Sequence, residues 1–255
     1  MSRTRPRCAA VTTTRRPTSA GRFGAALILA VGALSSCGRD TNPAGTSIAT
    51  VGESRTPSAG FTAVTVPRAG QLADGTSWTI MVPQVRGGDL QVRAAYNGEV
   101  DAIVAKLTSQ PSGNGRTIGD GSLGTAERSR TVVGERTLAG VMIVLSSVKQ
   151  AAYPSTNVET VVLDSLTGEV IDEPFIDPEA AKPVLVGLAA ANDPSGRLRD
   201  GGFSYSGFAS WIPLPEGLHV YVDVPHVLGD YVPVTIPWDK VTGLLKPDVR
   251  QVLVG

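Results

Sequence analysis

One thiol in this chain has the spacing to be modified. Cys37 ends the run Leu34-Ser35-Ser36-Cys37, behind a mostly apolar stretch from Phe23 to Leu34 and an arginine-rich start. That apolar stretch falls short of the roughly 20 residues that cross a bilayer, so it reads as the h-region of a secretory leader. Arg3, Arg5, Arg7, Arg15, Arg16 and Arg22, with no acid among them, hold this end on the cytoplasmic side. Small residues at Ser35 and Ser36 suit an export peptidase, and the Cys37 thiol is the nucleophile that would take a diacylglycerol. The competing reading is an ordinary cleaved leader with an incidental cysteine. Residues 1–36 are therefore expected to be a lipoprotein signal peptide, with Cys37 as the lipid anchor on the extracytoplasmic face of the cell membrane.

Other chemistry has few candidates. The chain holds two histidines, His219 and His226. A Ser-His-Asp hydrolase would need one of them as base and a serine on a sharp turn. Gly202-Phe203-Ser204-Tyr205-Ser206-Gly207 approaches that turn, but Ser206 stands where the second glycine belongs. Gly119-Asp120-Gly121-Ser122-Leu123-Gly124 matches the dinucleotide fingerprint in form, yet no strand–helix–strand unit surrounds it, so it reads as a loop. His219 and Asp223 share one face of a strand, but Pro225 breaks the register before His226, and no further metal ligand stands nearby. Cys8 leaves with the leader and Cys37 is acylated, so no disulfide and no zinc cluster is expected. These readings predict no enzyme activity, no cofactor and no metal.

Charge narrows the partners. Six of the 23 bases and none of the 23 acids fall in residues 1–36, leaving 17 bases against 23 acids in the 219 residues that follow. A mildly acidic surface gives no long-range pull on phosphate backbones, so nucleic acid is excluded as a partner class. The remaining length suffices for one well-packed domain.

The elements that must position any site follow from periodicity. From Gly38 to about Gly70 the chain is rich in Ser, Thr, Gly, Ala and Pro, so residues 37–70 read as the acylated cysteine and a flexible tether. A short strand over Phe61 to Val66 is the alternative there. Residues 71–255 form the folded part, with order expected from a strand at Trp78-Thr79-Ile80-Met81-Val82-Pro83. Asp89 caps a helix whose apolar side recurs through Val92, Tyr96, Val100, Ile103, Val104 and Leu107, weakened in its middle by Asn97-Gly98. A Gly-rich loop (Pro111 to Gly124) leads to a hairpin of Arg130 to Val133 with Thr137 to Val148. A strand over Val158 to Asp164 turns at Thr167-Gly168. Asp177-Pro178 starts a second helix that Pro183 should kink or restart before Asn192. Strands over Gly217 to Val224 and Val232 to Ile236, then a short helix from Trp238 to Leu245, complete the chain. Short turns between strands and few helices predict an α+β fold of mainly antiparallel, twisted sheets with two or three packed helices.

Several segments, in this order, resemble a family of extracytoplasmic bacterial domains. They are Val82-Pro83-Gln84-Val85 before the Asn97 helix, Ala151-Ala152-Tyr153-Pro154-Ser155 before a strand, and Leu163-Asp164-Ser165-Leu166-Thr167-Gly168-Glu169-Val170. Gly217-Leu218-His219-Val220-Tyr221-Val222, leading to Val234-Thr235-Ile236-Pro237-Trp238, is the strongest. The family includes the C-terminal domain of RsiV-type lysozyme-sensing anti-sigma factors and the secreted immunogenic antigen of mycobacteria. The resemblance implies an α+β domain of largely unknown function that binds a lysozyme-like protein or cell-wall material. The short leader here departs from the sensors, which cross the membrane with a full helix, so direct sigma-factor control is not expected.

The binding face is expected on the Gly217 to Val224 strand. Its aliphatic residues alternate with His219, Tyr221 and Asp223, which would form an outward row able to meet a basic partner. Trp211, beside Pro213 and Pro215, would border it. The function expected is that of a lipid-anchored, non-enzymatic domain binding a protein or a cell-wall glycan. The alternatives are an envelope-polymer hydrolase, a structural lipoprotein and a lipid carrier.

Overall fold

A computed structural model describes residues 58, 60–109, 115–124, 126–198 and 207–254. The leader, Cys37, the first part of the expected tether and the Gly202 to Ser206 segment lie outside the described residues. Among the described residues the order is β1 (Phe61–Gln71), β2 (Ser77–Gly87), α1 (Leu90–Ser109), β3 (Arg116–Asp120), β4 (Arg130–Val133), β5 (Thr137–Val148) and β6 (Ser155–Asp164). Then come α2 (Pro178–Asn192), β7 (Gly207–Leu214), β8 (Gly217–Asp223), β9 (Tyr231–Pro237), α3 (Trp238–Val241) and α4 (Pro247–Leu253). The fold is α+β with antiparallel sheets.

β5 is the organising strand. Its run Thr-Leu-Ala-Gly-Val-Met-Ile-Val is buried from end to end, as expected of a strand covered on both faces. β6 pairs along one edge of it, from Thr137↔Asp164 to Ser146↔Ser155. On the other edge β4 takes residues 138–141 and β3 takes residues 144–148, so the two short strands lie end to end. Side chains alternate across a strand, and here the alternation divides two cores. Leu138, Met142 and Val144 join Tyr96 and Val100 of α1 and Ile80 and Val82 of β2. Ala139, Val141 and Ile143 join Leu185 of α2 and the sheet of β7, β8 and β9.

The folded part begins earlier than the sequence suggests. β1, inside the stretch expected as tether, pairs with β2 over eleven residues from Phe61↔Gly87 to Gln71↔Ser77. Its own pattern is mostly exposed. The strand owes its order to the β2 ladder and to burial of Phe61, so composition alone could not reveal it.

α1 is capped by Asp89, whose Oδ1 accepts the N–H of Gln91 at 2.8 Å and of Val92 at 3.0 Å. Asn97, expected to weaken the helix, has a job there. Its amide donates to Val85 O at 3.2 Å and accepts from Val85 N at 3.0 Å, which satisfies the free edge of β2. α2 starts at Asp177-Pro178 as expected, with Asp177 accepting from Ala180 N at 3.1 Å. It then runs on through Pro183 instead of restarting. The Gly119 to Gly124 segment, read as loop, supplies the end of β3. The expected turn at Thr167-Gly168 is present, with Gly168 at φ 76° and Leu163 bridging Val170. The last helix, α4, has no counterpart among the expected elements.

Candidate functional site

β8 is the middle strand of its sheet and is buried along nearly its whole length. This overturns the outward row. Tyr221 is fully buried and His219 is 7% exposed, while Asp223 at the strand end is half-buried opposite Tyr231. The aliphatic residues do point into a core, but so do His219 and Tyr221, because the other face is covered as well. A polar residue tolerates such a place when its hydrogen bonds are met inside.

Glu127 meets one of them and Thr235 another. Glu127 precedes β4 in a segment tied by the Leu123↔Glu127 bridge. Tyr221 Oη donates to Glu127 Oε2 at 3.2 Å, and Arg130 forms an ion pair with the same oxygen. His219 stands edge-on to Tyr221, with ring centroids 5.0 Å apart, and its Nδ1 shares a hydrogen bond with Thr235 Oγ1 at 2.8 Å. His219 Nε2 is 3.6 Å from Glu127 Oε1, beyond a hydrogen bond, and is the buried atom of this group without a partner. Burial pushes the His219 pKa below the ordinary histidine value, against the pull of Glu127, so the ring is neutral at pH 7. Burial, then the Glu127 charge, raises the Tyr221 hydroxyl well above its usual range. Burial is the largest single influence on Arg130 and disfavours its cation, but the bond to Glu127 and the charges of Tyr221 and Glu127 together outweigh it and the pKa rises.

The network borders a cleft of about 380 Å³ lined by Leu123, Glu127, Asn192, His219, Pro233 and Thr235. A neutral imidazole beside a carboxylate can accept or pass a proton. Both oxygens of Glu127 are, however, engaged or held close by Arg130, Tyr221 and His219.

Trp211 is also buried, at 7% exposure, and not part of an open face. It lines a small hollow of about 140 Å³ with Glu99, Ile103, Thr160 and Asp172. The prolines beside it, Pro213 and Pro215, instead line a hollow of about 320 Å³ with Trp238 and Val252.

A fourth opening was not legible in the sequence. A cleft of about 480 Å³ lies between the chain after β6 and α4, sharing Val170, Ile171 and Asp172 with the Trp211 hollow. Five carboxylates line it, those of Asp164, Glu169, Asp172, Glu173 and Asp248, against two cations, Arg136 and Lys246. Arg136 is held by Asp164 at 2.8 Å, and Lys246 Nζ donates to Glu173 O at 2.6 Å. Its walls come from segments nearly 80 residues apart, 169–173 and 246–252, brought together where Lys246 N bonds Pro174 O and Ile176 N bonds Leu244 O. Among the described residues no group of His, Cys, Asp and Glu has the geometry of a metal site. No helix among them is long and apolar enough to cross a membrane.

No family model matches the sequence, and no curated protein matches it. Among solved structures, a member of the DUF3298 family from Bacteroides fragilis aligns with a TM-score of 0.48 and 11% identity. The alignment covers 76% of this chain and 96% of that one.

Proposed function

We propose that this protein is an extracytoplasmic lipoprotein, anchored through Cys37, whose domain binds a basic protein partner without acting on it chemically. The observation that carries this reading is the cleft with five carboxylates and two already engaged cations, in a chain whose acids outnumber its bases once the leader is removed. Such a surface speeds and selects the approach of a cationic protein. The resemblance of several segments to RsiV-type outer domains supports a lysozyme-like protein as the partner. With the β8 row buried, the 169–173 wall takes its place as the binding surface in this reading.

The test is titration of the full acylated protein in detergent with lysozyme as the basic probe, at two salt concentrations. Binding should weaken with added salt and on Asp172→Lys, while the thermal midpoint stays put. Binding that ignores both charge reversal and salt would overturn the reading. Anchoring is tested separately: Cys37→Ala should leave the membrane fraction after a carbonate wash.

A second reading, an envelope-polymer hydrolase, draws on His219 and Glu127 sharing a cleft. Release of soluble fragments from purified cell wall, lost in His219→Gln with folding intact, would favour it over the binding domain.

A further inference from the structure

Two loop tips meet at one end of the β5–β6 hairpin and expose apolar side chains. The β5–β6 turn presents Val148, Ala151, Ala152, Tyr153 and Pro154, with Tyr153 69% exposed. The loop between β8 and β9 presents Val227, 77% exposed, next to His226. The pair is pinned together. The rings of Tyr153 and His226 lie 5.3 Å apart, and Asp230 bonds both loops at once, with Oδ1 to His226 Nδ1 at 2.7 Å and Oδ2 to Thr156 N at 2.7 Å. Large apolar side chains fixed in water in this way mark an interaction surface.

The charges around the tip say what it meets. Lys149 is exposed within the turn itself, and the Arg197 guanidinium donates to Leu228 O at 2.8 Å beside Gly229. The guanidinium also donates to Ser195 Oγ at 3.0 Å. Of the nearby carboxylates, Asp230 is taken up by the two loops, Asp223 is half-buried at the end of β8, and Asp193, whose charge acts on Arg197, is buried. An aromatic ring with aliphatic neighbours, with an exposed lysine and a half-buried arginine beside it, is the chemistry of the bilayer interface. We propose that this tip is a membrane-contact surface, with Tyr153 and Val227 seated among the headgroups of the bilayer that holds the anchor and Lys149 and Arg197 facing anionic phosphates. The inference rests on the lipoprotein reading.

The geometry of the hairpin gives this contact a consequence. β6 runs ten residues from Ser155 beside the tip to Asp164 in the acidic cleft, about 30 Å at the usual rise of a strand. A domain standing on its tip holds the cleft away from lipid and open to a partner. The described chain enters near the cleft end, where Ser58 bonds the carbonyl groups of Gly134 and Glu135. Between Cys37 and Ser58 there are 20 residues. Twenty residues reach at most about 70 Å when extended, more than the length of β6, so the anchor and the tip can share one membrane.

The test uses the mature acylated protein in vesicles of phosphatidylglycerol and phosphatidylcholine. With Cys8 removed in the leader and Cys37 acylated, V227C carries a single nitroxide label, and L166C, beside the cleft, carries the control. The label at 227 should collide several-fold more with oxygen, which dissolves in lipid, than with a water-soluble nickel chelate, relative to the label at 166. Equal, aqueous behaviour of both labels in protein that sediments with the vesicles overturns the contact and leaves the anchor standing. Protein that stays in the supernatant overturns the anchor reading and the contact with it. A label at 227 that is aqueous in vesicles and immobilised only when envelope protein is added makes the tip a protein-docking surface and overturns the membrane contact.

Discussion

Tyr221 and His219 lie on the face that their alternation with valines assigns them, but that face is buried instead of open to water. Period-two alternation distinguishes the two faces of a strand but does not say whether the second face is wet. The readable sign was that no charged residue occurs in Gly217 to Val222 apart from the titratable His219, and that Pro233 and Thr235, in the neighbouring strand, are equally uncharged. The partner Glu127 is 94 residues from Tyr221, and no local pattern links them. Tyr221→Ala should therefore act on stability, lowering it by about 3–5 kcal/mol through the cavity it leaves. Tyr221→Phe removes only the bond to Glu127 and should cost about 1 kcal/mol. Urea midpoints of the two variants check this, and equal losses would mean that the hydroxyl, not the ring, is what matters. His219 makes a pH prediction. Because burial depresses its pKa in the folded state, the unfolded chain takes up the proton first as pH falls. The stability tied to the neutral ring is full above about pH 6.5, the unfolded value, and is lost as pH falls from there through the folded pKa. His219→Gln should be flatter than the parent protein below about pH 6.5, measured by urea midpoints across that range. An unchanged slope would show that the ring does not titrate against unfolding.

At the scale of elements, what is local was legible and what is borrowed was not. The Asp89 and Asp177 caps, the Thr167-Gly168 turn and the β4–β5 hairpin are each specified by neighbouring residues, and the structure has all four. β1 and α4 take their order from the segments they pair with, not from a pattern of their own. β1 is ordered by its β2 ladder, and α4 by the chain that folds back at Lys246 onto Pro174. The cleft between α4 and residues 169–173 was illegible for the same reason. Asn97 shows how a local penalty conceals a tertiary gain. In an isolated helix Ala is better than Asn by up to about 0.7 kcal/mol. Here Asn97→Ala strips the partners from both the N–H and the C=O of buried Val85, at about 1–3 kcal/mol. The variant should be destabilised by about 1–2 kcal/mol once the helix gain is set against that loss, with amide exchange at Val85 accelerated first. A stabilised protein would mean that the β2 edge is satisfied by water.

At the scale of the whole molecule, the two cores share one sheet. β5 sends Leu138, Met142 and Val144 into one and Ala139, Val141 and Ile143 into the other, and β6 divides Val161 and Leu163 from Val158 and Val162 in the same way. Losing either core would leave one full face of that sheet in water, at roughly 25 cal/mol for each Å² of apolar surface. A strand cannot stay paired with half its side chains stripped of cover, so the cores should unfold together. Each has its own reporter. Trp78 is buried in the α1 core and Trp211 in the α2 core, while Trp238 packs at the margin of the latter. A protein with Trp211→Phe and Trp238→Phe reports through Trp78 alone, and one with Trp78→Phe and Trp238→Phe reports through Trp211. In each variant the fluorescence midpoint in urea should coincide with the far-ultraviolet dichroism midpoint of that same variant. If the Trp211 signal were lost while most of the dichroism remained, β7, β8 and β9 would be melting off an intact β5–β6 sheet, and the sheet would not be the coupling element.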